Sequence, residues 1–61
     1  MARIDWQAVR SELKGKLSDV DERIVDLLAA HKSTPDIAKT LGTNRSAVWW
    51  RIQRIKALLH S

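Results

Sequence analysis

One glycine, Gly42, stands between two apolar repeats of helical spacing, and this arrangement limits the possible fold more than any other feature of the chain. The repeating residues are Ile37, Ala38 and Leu41 before the glycine and Val48, Ile52, Ile55 and Leu59 after it. Because an α-helix has about 3.6 residues per turn, this spacing puts each set on one helical face. Glycine readily adopts the left-handed conformation that ends a helix. The stretch therefore predicts a helix, a tight turn and a second helix.

Capping residues support these helix boundaries. Thr34 is predicted to cap the first of the two helices, with Pro35 in its first turn, and Asn44 is predicted to cap the second. The small Ala38 suits the point at which two helices cross. This is the geometry of a DNA-binding helix-turn-helix, and a plain helical hairpin with a turn glycine is the alternative that has the same spacing.

The basic residues are unevenly distributed along the chain. Residues 37–61 contain five basic residues and no acidic residue, whereas residues 1–36 contain six basic and seven acidic residues. A basic half attached to a mildly acidic support is typical of a surface that faces phosphates. A basic helix that is merely solvated is the alternative.

The last predicted helix has a second face, opposite its apolar stripe. At about 100° per residue, Ser46, Trp50 and Gln53 project roughly opposite Val48. An exposed tryptophan indicates a contact surface, and an indole can lie against thymine methyl groups in a major groove. A subunit contact is the alternative for Trp50, while Trp49 lies on the flank and could also pack inward. The predicted base-reading residues are Asn44, Arg45, Ser46, Trp49, Trp50 and Gln53.

A second set of residues is predicted to contact the DNA backbone. In this geometry the N-terminus of the first motif helix approaches phosphates, where N–H groups and hydroxyls bind anions. Arginine can serve either guanine or phosphate, so the sequence leaves open which of Arg45, Arg51 and Arg54 reads bases. The predicted phosphate contacts are Lys32, Ser33, Thr34, Lys39, Thr43, Arg51 and Arg54.

The segment from Asp21 to Ile55 resembles the helix-turn-helix of the leucine-responsive regulatory protein family. The matching motifs are Asp21-Glu-Arg-Ile-Val-Asp-Leu-Leu, Thr34-Pro-Asp-Ile-Ala, Leu41-Gly42 and Arg51-Ile-Gln-Arg-Ile. Related patterns occur in sigma factors and in the DNA-binding ends of site-specific recombinases. Thr43 departs from the family, which has an apolar residue there, and the wing and ligand domain of the family have no counterpart in the sequence after Leu59. The resemblance therefore implies a DNA-binding helix-turn-helix, and the amino-acid effector function of the family is not carried over.

The N-terminal half predicts two further helices. Asp5 can cap the first, in which Trp6 and Val9 face the core, and Gly15 can end it. Ser18 can cap the second helix, whose core residues are Ile24, Leu27 and Leu28. We attribute the carboxylates of this helix to capping and solvation, and they are those of Asp19, Asp21, Glu22 and Asp26. The predicted fold is all-α, a single small four-helix domain over residues 1–61 that contains a helix-turn-helix. The predicted helices span residues 5–14, 19–31, 35–41 and 45–59.

Length and composition argue against several classes of protein. A chain of 61 residues leaves no room for a cofactor pocket, and without cysteine it has no disulfide or thiolate metal site. His31 and His60 have no nucleophile or second ligand nearby in sequence, which argues against catalytic and metal roles. No apolar run reaches the roughly 20 residues that span a bilayer. We expect no enzyme activity, cofactor, metal, membrane contact or small-molecule substrate, and a cytoplasmic, nucleoid-associated location.

These features predict a transcriptional regulator that binds double-stranded DNA, and the small size favours a repressor of phage or mobile-element type. The alternatives are a helical protein-interaction module, such as an adaptor or partner-neutralising protein, and the DNA-binding end of a recombinase or sigma factor. A homodimer is expected, because one recognition helix covers few base pairs. Its predicted interface is the Ile4-Trp6-Val9 region or Ala57-Leu58-Leu59, with the N-terminal region slightly favoured.

Overall fold

Residues 4–60 are described by the computed structural model, and they form four α-helices and no strand. The helices are α1 (Trp6–Glu12), α2 (Asp19–Ala29), α3 (Thr34–Leu41) and α4 (Arg45–Leu59). The predicted all-α class is therefore confirmed. Packing occurs between α1 and α2, between α3 and α4, and between α2 and α4, so α2 lies against both the N-terminal helix and the long last helix.

Side-chain caps begin all four helices. The Asp5 carboxylate accepts hydrogen bonds from the backbone N–H groups of Gln7 and Ala8, and the Ser18 hydroxyl accepts one from Asp21. Asn44 Oδ1 accepts a hydrogen bond from the N–H of Ala47 at 2.9 Å, as the sequence predicts. The termini of α4 match their predicted positions, whereas α1 is shorter than predicted and ends at Glu12, before the turn that contains Gly15.

The cap of α3 is Ser33, and the prediction of Thr34 is wrong by one residue. Ser33 has extended backbone angles, its hydroxyl accepts a hydrogen bond from the N–H of Asp36, and it donates one to Asp36 Oδ2 at 2.9 Å. Thr34 is already the first helical residue. The reciprocal contact with Asp36 explains the choice, because only a cap three residues before Asp36 can reach both groups.

Left-handed residues end both α2 and α3. Gly42 has a φ of +69°, and the N–H of Thr43 bonds to the carbonyl of Ala38 at 2.9 Å, so the chain reverses directly after α3. His31 has a φ of 64°, and the N–H of Lys32 bonds to the carbonyl of Leu27 at 3.0 Å. The same turn geometry at His31 explains why α2 ends at Ala29, whereas the sequence predicts an end at residue 31.

We predict that His31→Gly raises the free energy of unfolding by about 0.5–1 kcal/mol. A non-glycine residue in the left-handed region costs about 1–2 kcal/mol, which glycine avoids. Part of this gain is offset because glycine gives the unfolded chain more conformational entropy. Urea unfolding would measure this change.

Gly42→Val is the control with the opposite expected effect, because it puts a β-branched residue at a left-handed position. It should lower the free energy of unfolding by about 1–2 kcal/mol. A Cβ at Gly42 meets no atom within 4 Å, so the Cβ itself does not clash, and we attribute the loss to the left-handed backbone conformation. A fall in stability for His31→Gly would contradict the interpretation.

A single apolar cluster joins the four helices. Its fully buried large side chains come from the three longer helices, with Ile24 and Val25 from α2, Ile37 from α3 and Val48 and Ile55 from α4. Trp6 of α1 is half-buried and packs against this cluster, in agreement with its predicted core role. Because α3 and α4 share this core, the position of the start of α3 relative to the outer face of α4 is fixed by packing.

Candidate functional site

The first two turns of α4 and the start of α3 form one surface. A cleft of about 390 Å³ lies between them, and its lining residues are Thr34, Pro35, Arg45, Ser46, Trp49 and Trp50. The left-handed turn at Gly42 creates this arrangement, because it folds α4 back across α3 after a very short connection. The structure thus brings together residues that the sequence assigned separately to base reading and to phosphate contact.

The core fixes which face of α4 points outward. Val48 and Ile55 are fully buried, and Ile52 is nearly so, which confirms the predicted apolar stripe. On the other face the exposed fraction is 65% for Trp50 and 48% for Trp49. Trp49 therefore does not pack into the core, a point that the sequence left open. Ser46 is exposed beside these rings, and Gln53 is half-buried.

The two exposed indoles contact each other. Their ring centroids are 4.9 Å apart and the ring planes meet at 86°, which is an edge-to-face arrangement. Consecutive helical residues point about 100° apart, so only large side chains can meet in this way. Edge-to-face contact is a favoured geometry for aromatic rings. The pair forms a continuous apolar ridge on the outer surface of α4.

Three exposed basic side chains on α3 and α4 have no acidic partner among the described residues. Lys39, Arg45 and Arg54 are exposed and form no ion pair or side-chain hydrogen bond with any residue in the range 4–60. The sequence has no acidic residue after Asp36. Exposed cations that lack internal partners leave their charge available to an anionic ligand, so the surface combines positive charge with apolar rings.

Arg51 is placed differently from the other predicted phosphate contacts. Its guanidinium Nη1 lies 3.2 Å from Asp21 Oδ1, so the side chain ties α4 to the first turn of α2. The Asp21 side chain is only 9% exposed, and its attribution to solvation is wrong. Sequence reasoning missed this pair, yet a signal was present, because Asp21 precedes the buried Ile24 and Val25 by three and four residues on the same helical face.

Capping also engages two of the predicted DNA-contacting side chains. The Asn44 amide oxygen and the Ser33 hydroxyl both serve helix N-termini, at α4 and α3 respectively. The amide NH2 group of Asn44 has no partner among the described residues. Lys32 and Thr43 are exposed next to the ends of α3, and Thr34 is half-buried at its first turn.

The remaining surface offers weaker candidates. A cleft of about 700 Å³ between α1 and α2 is lined by Arg10 and Asp26, whose side chains already pair at 2.8 Å. Within residues 4–60 no group of three or more His, Cys, Asp or Glu side chains is arranged to hold a metal ion. None of the four helices is both long enough and apolar enough to cross a membrane.

Comparisons with protein-family models, with curated proteins and with solved structures find no match to this chain. The chemistry of the α3–α4 surface is therefore the basis for a functional proposal.

Proposed function

We propose that this protein is a sequence-specific DNA-binding transcriptional regulator. In this proposal α3, the turn at Gly42 and α4 act as a helix-turn-helix, with α4 in the major groove of double-stranded DNA. The single observation that carries the proposal is the cleft between the start of α3 and the outer face of α4, which is lined by Arg45 and two exposed tryptophans and by no acidic residue of the described chain.

This surface meets the two requirements of a groove-binding helix. Positive charge must face the DNA backbone, and Lys39 and Arg54 supply it without internal partners. Side chains in the first turns of the helix must reach base edges, and Arg45, Ser46 and Trp50 project from those turns. Because α3 and α4 line the same cleft, one domain could contact the DNA backbone and the base edges at the same time.

Each residue of the surface has a proposed role. Base edges are contacted by Asn44, Arg45, Ser46, Trp49, Trp50 and Gln53, and the backbone by Lys32, Thr34, Lys39, Thr43 and Arg54. We assign Ser33 to the cap of α3, since its hydroxyl already donates to Asp36 Oδ2 and accepts a hydrogen bond from the Asp36 N–H. We assign Arg51 mainly to the contact with Asp21, since its guanidinium is already paired within the domain. We propose that it is a repressor of phage or mobile-element type, which acts in the cytoplasm by occupying its operator on the nucleoid.

Salt dependence of binding tests the proposal. In a mobility-shift titration on a random-sequence duplex, about four phosphate contacts per subunit should give a log–log slope of affinity against salt near −4. The slope should be reduced by about 1 in Lys39→Ala. Absent binding at low salt, or binding that does not change with salt, would contradict DNA recognition.

A helical protein-interaction module is the second candidate, and the exposed Trp49 and Trp50 favour it. Large exposed apolar rings often mark a protein contact. Such a contact would depend on the rings and respond little to salt, whereas the DNA-binding function requires Lys39 and Arg54 as well as the rings. The same salt titration therefore separates the two functions.

We propose that the protein binds DNA as a homodimer, because one short recognition helix contacts too few base pairs for the roughly 10⁻⁸ M affinity of specific regulators. We choose between the two predicted interfaces by the exposure of their residues. Val9 is buried and Trp6 packs against the core of its own subunit, so of the N-terminal set Ile4 is the exposed member, at 39%. At the other end of the chain both Ala57 and Leu58 are exposed, so we place the interface at the C-terminal end of α4.

Sedimentation on a palindromic duplex is expected to show two subunits of 7.0 kDa bound per site. The centres of the two half-sites should lie about 34 Å apart, which is one helical turn of DNA. Leu58→Glu should weaken self-association, and Val20→Glu, on α2, is the matched control on another exposed apolar residue. One protein per site at saturation would contradict the dimer and leave the groove-binding proposal intact.

A further inference from the structure

Trp50 is the most exposed large apolar side chain in the described part of the chain, and its position on α4 suggests what it contacts. The ring is 65% exposed and lies on the face opposite the buried Val48 and Ile55. Ser46, one turn earlier on the same face, is small and exposed, so it does not shield the ring. A partner that docks on this face must therefore cover the indole.

The surroundings of Trp50 identify the chemical class of that partner. Arg45 lies with it along the cleft beside α3, and Arg54 follows one turn later. Both are exposed, and neither pairs with any described residue. The complementary surface must be anionic near the arginines and apolar against the ring. The major groove of DNA has phosphates along its edges and one apolar group on its floor, the 5-methyl group of thymine.

Among the four bases, thymine matches an indole best. The indole has an apolar face and a single N–H donor, with no acceptor. Thymine presents a methyl group together with the O4 acceptor, whereas cytosine presents a donor that the ring cannot satisfy. Guanine presents two acceptors, of which at least one would lose its water beneath the ring. Adenine presents an acceptor and a donor, and the donor would be left without a partner.

We infer that Trp50 is a specificity-determining residue that selects thymine through its methyl group. This inference rests on the proposed DNA-binding function and adds the base class that the apolar part of the surface reads. It requires at least one A·T pair in each half-site, oriented so that the thymine methyl faces α4.

Replacement of thymine by deoxyuridine tests the inference, because it removes the methyl group and keeps the base-pairing. The duplex would be recovered by selection of bound sites from random-sequence DNA, and each thymine would then be replaced in turn. Burial of one methyl group corresponds to about a fourfold change in affinity. We expect a loss of that size at one thymine or more per half-site for the wild-type protein. Trp50→Ala should bind the thymine and deoxyuridine duplexes equally well, whereas Val20→Ala should keep the fourfold difference.

The outcomes separate the inference from the function on which it rests. Specific, salt-dependent binding that is unchanged by every deoxyuridine would overturn thymine selection and leave the DNA-binding proposal in place. The same applies if Trp50→Ala keeps the fourfold difference, or if it alters self-association alone. Failure of the wild-type protein to bind any duplex at low salt would overturn both.

Discussion

Arg51→Ala is expected to lower the free energy of unfolding by about 2 kcal/mol, although Arg51 lies on a helix whose outer face is proposed to bind DNA. The reason is Asp21, whose side chain is 9% exposed and whose Oδ1 lies 3.2 Å from the Arg51 guanidinium. Removal of the arginine leaves a buried carboxylate without its partner, which costs about 3–5 kcal/mol in a fully buried pair. The Arg51 side chain is 42% exposed, so water can enter and reduce that cost. Thermal unfolding should show a fall in Tm of roughly 10 °C for a domain of this size.

Arg54→Ala is the matched control for this prediction. Arg54 is on the same helix and is exposed, with no ion pair to any described residue, so its removal should change stability by no more than about 0.5 kcal/mol. The double variant Asp21→Leu with Arg51→Met should recover most of the stability lost in Arg51→Ala, because it removes both charges. Equal unfolding free energies for Arg51→Ala and Arg54→Ala would return Arg51 to the set of DNA-facing residues.

Arg45→Ala is expected to cost about 1–3 kcal/mol of binding free energy on the preferred site and to relax base preference at one position of each half-site. Arg45 is in the first turn of α4 and lines the cleft beside Thr34, which is where a groove-reading arginine must be. Its guanidinium forms no ion pair or hydrogen bond with a described residue, so its loss should leave the fold unchanged. The measurement is affinity for the selected site and for random DNA at one salt concentration.

Lys39→Ala provides the comparison, because Lys39 is exposed in the last turn of α3 and is proposed to contact phosphate. It should weaken binding to both duplexes by a similar factor. If Arg45→Ala also weakens both duplexes equally, Arg45 contacts phosphate and base reading falls to the remaining residues of α4.

Much of the fold could be predicted because its signals are local. The four-residue and three-residue intervals of the α4 stripe and the Asn44 cap lie within one short segment, and both helix ends match the structure. The predicted start of α3 differs from the structure because two neighbouring residues can each act as its cap. Ser33 and Thr34 both carry a hydroxyl that can cap α3, and the choice depends on the contact of Ser33 with Asp36. The end of α2 differs from the prediction because a positive φ is uncommon at residues other than glycine, so the sequence does not indicate the left-handed turn at His31.

The sequence allows the residues of the candidate site to be named, but it does not show which partners their side chains contact. The sequence shows that Arg45, Arg51 and Arg54 are basic, but a long side chain can reach several partners, and only the packing of α2 on α4 shows that Arg51 meets Asp21. The exposure of Trp49 likewise depends on how closely α3 covers the flank of α4. Periodicity gives the direction of a side chain and not the distance to the neighbouring helix.

The most direct measurement of the central proposal uses the indole N–H signals of the three tryptophans in an NMR titration with a duplex of selected sequence. Trp49 and Trp50 lie on the proposed DNA-facing surface, whereas Trp6 packs against the core from α1 and serves as an internal control. If α4 enters the groove, the signals of Trp49 and Trp50 will move with added duplex and reach saturation, and the signal of Trp6 will stay in place. Unchanged Trp49 and Trp50 signals on a duplex that the protein demonstrably binds would contradict the proposal that this face of α4 contacts DNA.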